Sequence, residues 1–166
     1  MNEPLFKNRF VRDEQYAHEL YLHYYLKTPL FVVLYVLFGI QTLISFSVSI
    51  TSGLFALLCA AIIVLSVRIL HSVNVKNTIA RDRERANGNE LLNELFVYSD
   101  RVELFMLGNK ETLYFSNIKR AFETKNHIYL QTKARMVYIF KKDSFTLGNS
   151  EDFVKFLRDN RIKIQK

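Results

Sequence analysis

The sequence predicts an α+β membrane protein: a two-helix transmembrane hairpin followed by a C-terminal antiparallel β-barrel or sheet capped by one helix. Three observations predict it. Residues 28–67 contain no Lys, Arg, Asp, Glu or His. From residue 95 onward the apolar pattern shortens into alternating runs separated by turn residues. The chain then closes on an amphipathic stretch in which Phe153, Phe156 and Leu157 share one helical face.

Composition sets the outer bounds. Fourteen Phe and nine Tyr in 166 residues, with five Gly and two Pro, exclude a disordered or collagen-like chain. A mean hydropathy of +0.01 averages a very apolar segment with charged flanks. The net charge of +7 is uneven. In residues 1–27, Lys7, Arg9, Arg12 and Lys27 balance Glu3, Asp13, Glu14 and Glu19, so the excess follows the apolar segment. That placement suits an acidic surface such as anionic lipid. Cys59, the single cysteine, excludes an intramolecular disulfide and fits a reducing compartment. Residues 1–27 lack the short apolar core of a cleaved signal peptide.

Residues 1–27 are predicted to be a cytoplasmic strand and helix. "LFKNRFV" alternates like a short strand, and Asp13 is placed to cap a helix that runs unbroken to Lys27. Residues 28–73 form the predicted hairpin. As one straight helix, residues 28–67 would extend roughly 60 Å at ~1.5 Å per residue. That is about twice the ~30 Å hydrocarbon core of a bilayer. Two crossings are therefore expected, about 29–50 and 54–73, reversing at Thr51-Ser52-Gly53, where Gly53 can adopt turn conformations. Pro29 suits the first turn of the first crossing. Arg68 lies near the end of the second, where its side chain can snorkel to the interface.

Lys27 precedes the hairpin, Arg68, Lys76, Arg81, Arg83 and Arg85 follow it, and the turn is uncharged. The positive-inside rule then predicts a multi-pass protein of the cytoplasmic (inner) membrane with both termini in the cytoplasm. Tyr16, Tyr21, Tyr24 and Tyr25 cluster as an aromatic belt would, so Tyr21, Tyr24, Tyr25, Lys27 and Arg68 are the expected interfacial anchors. Ser45/Ser49 and Ala56/Ala60 are spaced to let two helices approach closely. Residues 74–93 continue as a charged juxtamembrane helix or linker, ending or bending at Asn87-Gly88-Asn89.

Residues 94–166 are predicted to form the cytoplasmic β domain, with strands at 95–98, 102–107, 111–115, 118–123, 127–132 and 136–140. Ser99-Asp100, Gly108-Asn109, Ser116-Asn117, Lys125-Asn126 and Lys133-Ala134 supply the turns. Strands joined so closely must be antiparallel. Gly148-Asn149-Ser150 then starts a helix over 151–160. Six or seven strands followed by one amphipathic helix is the order of pleckstrin-homology-like (PH-like) barrels.

The stretch "FVYSDRVELF" and, after it, "ETLYFSNIKRAFETKNHIYLQTKARMVYIFKKDSFTLGNSEDFVKFLRD" resemble the YcxB-like C-terminal domain of small bacterial membrane proteins. The resemblance rests on the aromatic-polar-x-Ile segment Tyr114-Phe115-Ser116-Asn117-Ile118, the hairpin Glu123 to Leu130, and the basic-aromatic step Lys141-Lys142-Asp143-Ser144-Phe145. Phe140 stands where family members carry a proline or small residue. The family pattern includes a preceding membrane hairpin, so the resemblance extends over nearly the whole chain. It implies an architecture and no reaction, ligand or catalytic residue.

No catalytic constellation is visible. His18 and His23 are five apart, about 140° round a helix, and do not share a metal-binding face. His127 reads as a residue flanking a turn. Glu151 and Asp152 fall in the first turn of a helix, where negative charge complements exposed N–H groups. No serine or cysteine stands in a nucleophile elbow and the glycines are isolated. The chain is therefore expected to be non-enzymatic, with no metal and no cofactor. Basic and aromatic residues interleave at 119–122 and 135–142, but strand alternation puts Tyr138 and Phe140 on one face and Val137 and Ile139 on the other. Nucleic acid is not expected as a partner.

Lys125, Lys133, Arg135, Lys141 and Lys142 lie at or near strand ends, as solvated turn residues or as contacts to lipid headgroups at roughly 1 kcal/mol each. The expected function is a membrane-anchored interaction module whose partners are the bilayer and an unidentified protein, with room for a homo-oligomer. The alternative is a small membrane protein giving immunity to a toxin or bacteriocin, or a transporter accessory, acting through the hairpin. A membrane-embedded enzyme would need a polar cluster in the bilayer, which Gln41 and the serines hardly provide.

Overall fold

In the computed structural model of the protein, residues 3–27 and 29–165 are described, with side chains described outside 24–31. The expectations for Tyr24, Tyr25 and Lys27 fall on side chains outside that set. The elements in chain order are strand β1 (Phe6–Val11), helices α1 (Glu14–Lys27), α2 (Pro29–Val48) and α3 (Ile50–Arg85), and strands β2 (Leu92–Val97), β3 (Arg101–Met106) and β4 (Asn109–Tyr114). After a 3-10 turn at Phe115–Asn117 come β5 (Ile118–Glu123), β6 (His127–Thr132), β7 (Val137–Lys141), β8 (Phe145–Leu147), helix α4 (Ser150–Asp159) and β9 (Ile164–Gln165). The fold is α+β, with two sheets and four α-helices among the described residues. It divides into two compact units, Met1–Tyr16 with Ala80–Lys166, and Ala17–Ile79.

The first unit holds both sheets. The five-stranded sheet runs β4-β3-β2-β1-β8 and the four-stranded sheet β7-β6-β5-β9. Strands at 118–123 and 127–132 fall where the alternation predicted them, and the other four expected strands differ at their ends by one to three residues. Two short strands, β8 and β9, were not expected. Nor was the position of β1, which sits between β2 and β8, antiparallel to both. β9 pairs parallel to β5, Ala121 opposite Ile164, after the chain has passed through β6, β7, β8 and α4.

Leu95, Val97, Val102, Leu104 and Leu113 make the inner face of the five-stranded sheet together with Phe6 and Phe10. Asn149 starts α4, its side-chain oxygen accepting the Asp152 N–H at 2.8 Å. That orientation buries Phe153 and Leu157 completely. The Phe153 ring lies 4.6 Å from Phe140 and 5.4 Å from Phe6, so one helix ties both sheets together. Gly148, just before the cap, has φ 73°, and a Cβ there would collide with the Phe6 ring. Only glycine meets both demands.

A polar seam joins the sheets. Asn8, fully buried in β1, donates through Nδ2 to the Lys141 carbonyl at 2.7 Å and accepts the Lys141 N–H at 3.2 Å. The side-chain amide thus acts as one rung of a ladder between β1 and β7. β6 is buried along its whole length. Ile128 and Leu130 share a face with Phe140 and the α4 cluster, and Tyr129 on the other face stacks on Phe122 at 4.7 Å.

In the second unit, α2 and α3 lie side by side. A groove of about 350 Å³ is lined by Tyr35, Gly39 and Phe46 from one and Leu57, Ala60 and Val64 from the other. The reversal expected at Thr51-Ser52-Gly53 is corrected: these three residues are helical and the chain leaves helix only at Ser49. Ser49 Oγ accepts the Ser52 N–H at 3.1 Å, the bond of an N-cap. Gly53 is needed for a different reason, since a Cβ there would enter the Phe46 ring. Its missing side chain makes room for close packing. The charged stretch after residue 73 continues α3 as far as Arg85, since no helix breaker occurs before Asn87. Asn87 (φ 52°) and Gly88 (φ 82°) then turn the backbone left-handed, and the Gly88 N–H bonds the Arg83 carbonyl at 2.8 Å. By length and composition α3 can cross a membrane, and 6% of its most apolar stretch is buried. The described apolar run of α2 is Val32–Val48.

Candidate functional site

The five candidate cations do not form one site. The Lys142 N–H bonds the Asn126 carbonyl at 2.9 Å, placing the end of β7 beside the β5–β6 turn. Lys125, Lys141 and Lys142 therefore occupy one end of the four-stranded sheet. Lys133 and Arg135 lie in the β6–β7 turn at the other end, where the Lys133 N–H bonds the Asn117 carbonyl. The length of β6 separates the two ends by roughly 17–20 Å.

Their charges differ in availability as well. Lys141 Nζ lies 3.1 Å from the Asp13 carboxylate, and Lys142 Nζ lies 2.8 Å from Glu123 while donating to the Thr124 carbonyl at 2.6 Å. Both are partly buried and matched within the protein. Lys125, Lys133 and Arg135 are exposed and make no ion pair among the described residues. Among the five candidates, the charge open to an anionic partner thus resides at two separate turns. Of the other expected anchors, Arg68 is exposed and the Tyr21 hydroxyl lies 3.0 Å from that of Thr78.

Tyr138 marks the start of β7. Its hydroxyl donates to Glu111 at 3.2 Å. Burial first, then the charge and hydrogen bond of Glu111, push its pKa up to about 12 from 10.0. A raised folded-state pKa contributes stability that is complete below the unfolded value and lost as pH rises. The β unit should therefore lose stability between about pH 10 and 12, and Tyr138→Phe should reduce that alkaline loss. Tyrosinate absorbance recorded alongside unfolding checks both, and an unchanged alkaline profile in the variant would refute the assignment.

A buried polar junction was not anticipated. Asp13 caps α1, accepting the N–H groups of Gln15 and Tyr16 at 3.0 and 3.2 Å. This fixes Tyr16, almost fully buried, with its hydroxyl donating to Asp82 near the end of α3. The Arg12 guanidinium completes the group, 3.4 Å from Asp82 and stacked over the Tyr16 ring at 5.6 Å. The Tyr129 hydroxyl donates to the Tyr16 carbonyl at 2.8 Å. Burial, then the Asp82 hydrogen bond and charge, hold the Tyr16 phenol far above its ordinary pKa, with Arg12 opposing. A phenol so held is neutral at physiological pH, and the arrangement works as a joint between the starts and ends of helices. Its sequence signal was the spacing of Asp82 with Val75 and Ala86, which puts one acid of a mixed-charge run on the buried face.

In the helical unit, Gln41, Thr42 and Ser45 of α2 converge with Thr51, Ser52 and Cys59 of α3 on a groove of about 510 Å³. These polar groups looked scattered in the sequence and are gathered by the packing. His18 did not pair with His23. Its Nδ1 instead lies 2.9 Å from His71 Nε2.

The comparisons bear on one part of this arrangement. Residues 108–157 match the YcxB-like protein family. The YcxB-like segment runs from the β3–β4 turn into α4 and contains all five candidate cations, while β1–β3, α1–α3 and the Arg12–Tyr16–Asp82 junction lie outside it. No curated protein matches the chain. Among solved structures, the C-terminal domain of an unknown protein from Leishmania infantum is similar over 51% of this chain and 96% of its own, at 10% identity and a TM-score of 0.33.

Proposed function

We propose that this chain is a non-enzymatic, membrane-anchored interaction module. α2 and α3 form a transmembrane hairpin in the cytoplasmic membrane with both termini inside, and the β unit is a PH-like domain held near the bilayer. The observation that carries this reading is the outward-facing apolar surface of the helix pair. Leu43, Val48 and Ile50 are 71%, 76% and 74% exposed, and Ile44, Leu54, Phe55 and Leu58 beside them are more than half exposed. A soluble monomer rarely exposes an apolar patch beyond a few hundred Å². The geometry agrees: from Ser49 to Arg68 a helix rises roughly 28 Å, so Arg68 reaches the far interface of a ~30 Å core. The strand order followed by a capping helix supports the PH-like reading. The exposed turns at Lys125 and at Lys133/Arg135 supply the charge for anionic headgroups or an acidic partner segment.

A single-cysteine scan tests the reading. In a Cys59→Ala background, Ser49→Cys should react with a membrane-impermeant maleimide added outside intact cells, and Lys125→Cys only after lysis. The reverse pattern overturns the topology. In reconstituted full-length protein, a fluorophore on Ala134→Cys should be quenched by headgroup quenchers more strongly in anionic than in neutral bilayers, and less at high salt. Equal quenching in both bilayers removes the headgroup contact.

A further inference from the structure

We propose that the polar groove between α2 and α3 is a self-association site, in which Gln41 pairs with Gln41 of a second copy of this chain. The inference rests on the membrane reading above.

Gln41 lies within the charge-free run and its side chain is exposed. Eight residues separate it from the reversal at Ser49, which sets it roughly 12 Å into a hydrocarbon core of ~30 Å. Several hydroxyls around it already have partners within the chain. Thr42 donates to the Phe38 carbonyl at 2.8 Å and Ser45 to the Gln41 carbonyl at 2.9 Å, while the Ser49 and Ser52 hydroxyls meet at 2.9 Å. The Thr42 and Ser45 hydroxyls have thereby used their one donor hydrogen and can only accept from a partner. The Gln41 amide has two donor hydrogens and an acceptor oxygen, and it makes no hydrogen bond among the described residues. An amide left so in lipid is costly, because acyl chains offer neither donor nor acceptor.

The groove also says what kind of partner fits. No charged residue lines it, so nothing there would match an ion or a charged segment. Ser45, Ala56 and Cys59 keep its walls low enough for another helix to come close. A carboxamide is its own complement. Two of them meeting across a two-fold axis exchange donor for acceptor twice, and a two-fold interface presents the same patch from both sides.

The test is energy transfer between donor- and acceptor-labelled copies of the full-length protein in liposomes, followed as lipid dilutes protein. Carbonate retention is measured on the same membranes. The parent chain should associate, Gln41→Leu should weaken association by about tenfold, and Gln41→Asn, which keeps the amide, should retain most of it. A retained but monomeric parent chain, or unchanged association in Gln41→Leu, overturns the pairing while leaving the membrane reading intact. Release of the chain by carbonate overturns the membrane reading and the pairing with it, since Gln41 would then face water.

Discussion

Replacing Asn8 by leucine is expected to destabilise the β unit by about 2–6 kcal/mol. The change is nearly isosteric, so packing alone would cost little. The loss comes from the Lys141 peptide, whose carbonyl and N–H both bond the Asn8 side chain at 2.7 and 3.2 Å. Leucine offers neither a donor nor an acceptor, and each buried orphan costs about 1–3 kcal/mol. Asn8→Asp should behave almost as badly, because it keeps the acceptor for the Lys141 N–H but points a second oxygen at the Lys141 carbonyl. Urea unfolding followed by near-ultraviolet tyrosine dichroism measures the change. Amide exchange should locate it at Lys141 and the β1–β7 seam. A loss below about 0.5 kcal/mol, the scale of an ordinary surface substitution, would mean that water replaces the amide and the seam does not hold the sheets.

Asp82→Ala is expected to cost about 3–5 kcal/mol. Arg12 and Asp82 retain side-chain exposures of only 13% and 9%. Removing the carboxylate leaves a guanidinium largely out of water, beside a tyrosine hydroxyl that has lost its acceptor. Breaking such a pair from one side is far more damaging than replacing both members by apolar groups of similar volume. The double variant Arg12→Met with Asp82→Leu should therefore recover most of the lost stability. A double-mutant cycle on the full chain distinguishes a coupled pair from two independent sites. Additive losses would show that Tyr16, bound to Tyr129 through its carbonyl, holds the joint without the ion pair.

Both predictions depend on residues that looked ordinary in the sequence. Asn8 shares a strand face with Phe6 and Phe10, so alternation turns it inward, but nothing local names Lys141 as its partner. Asp82 is one charge among five in succession, and only its helical spacing with buried Val75 and Ala86 sets it apart. Ser49 and Gly53 show the same limit at a turn. A Thr-Ser-Gly cluster in a long apolar run reads as a reversal, since glycine tolerates turn geometry. The packing used Ser49 as a helix cap and Gly53 as a notch for Phe46, so the local propensities were spent one turn apart. The cations at 125–142 were visible as turn residues. Their division between two ends, and the pairing of Lys141 with Asp13 and Lys142 with Glu123, depend on residues distant in the chain.

The sequence by itself determined the local physics. Alternation and turn residues set the strands of residues 92–141, β5 and β6 to the residue, and Asp13 and Asn149 set where two helices begin. The absence of charge over residues 28–67 set the apolar helices. Each of these depends on neighbours a few positions away, whose periodicity and hydrogen-bonding options can be read directly from the chain. The tertiary structure decided the rest: β1 in the middle of a sheet whose other strands lie more than eighty residues later, β9 parallel to β5, Asn8 on Lys141, Tyr16 on Asp82, and Gln41 gathered with hydroxyls from the next helix. Those pairings arise because buried polar groups must find partners wherever the packed chain brings them, and no short-range pattern records which partner that will be.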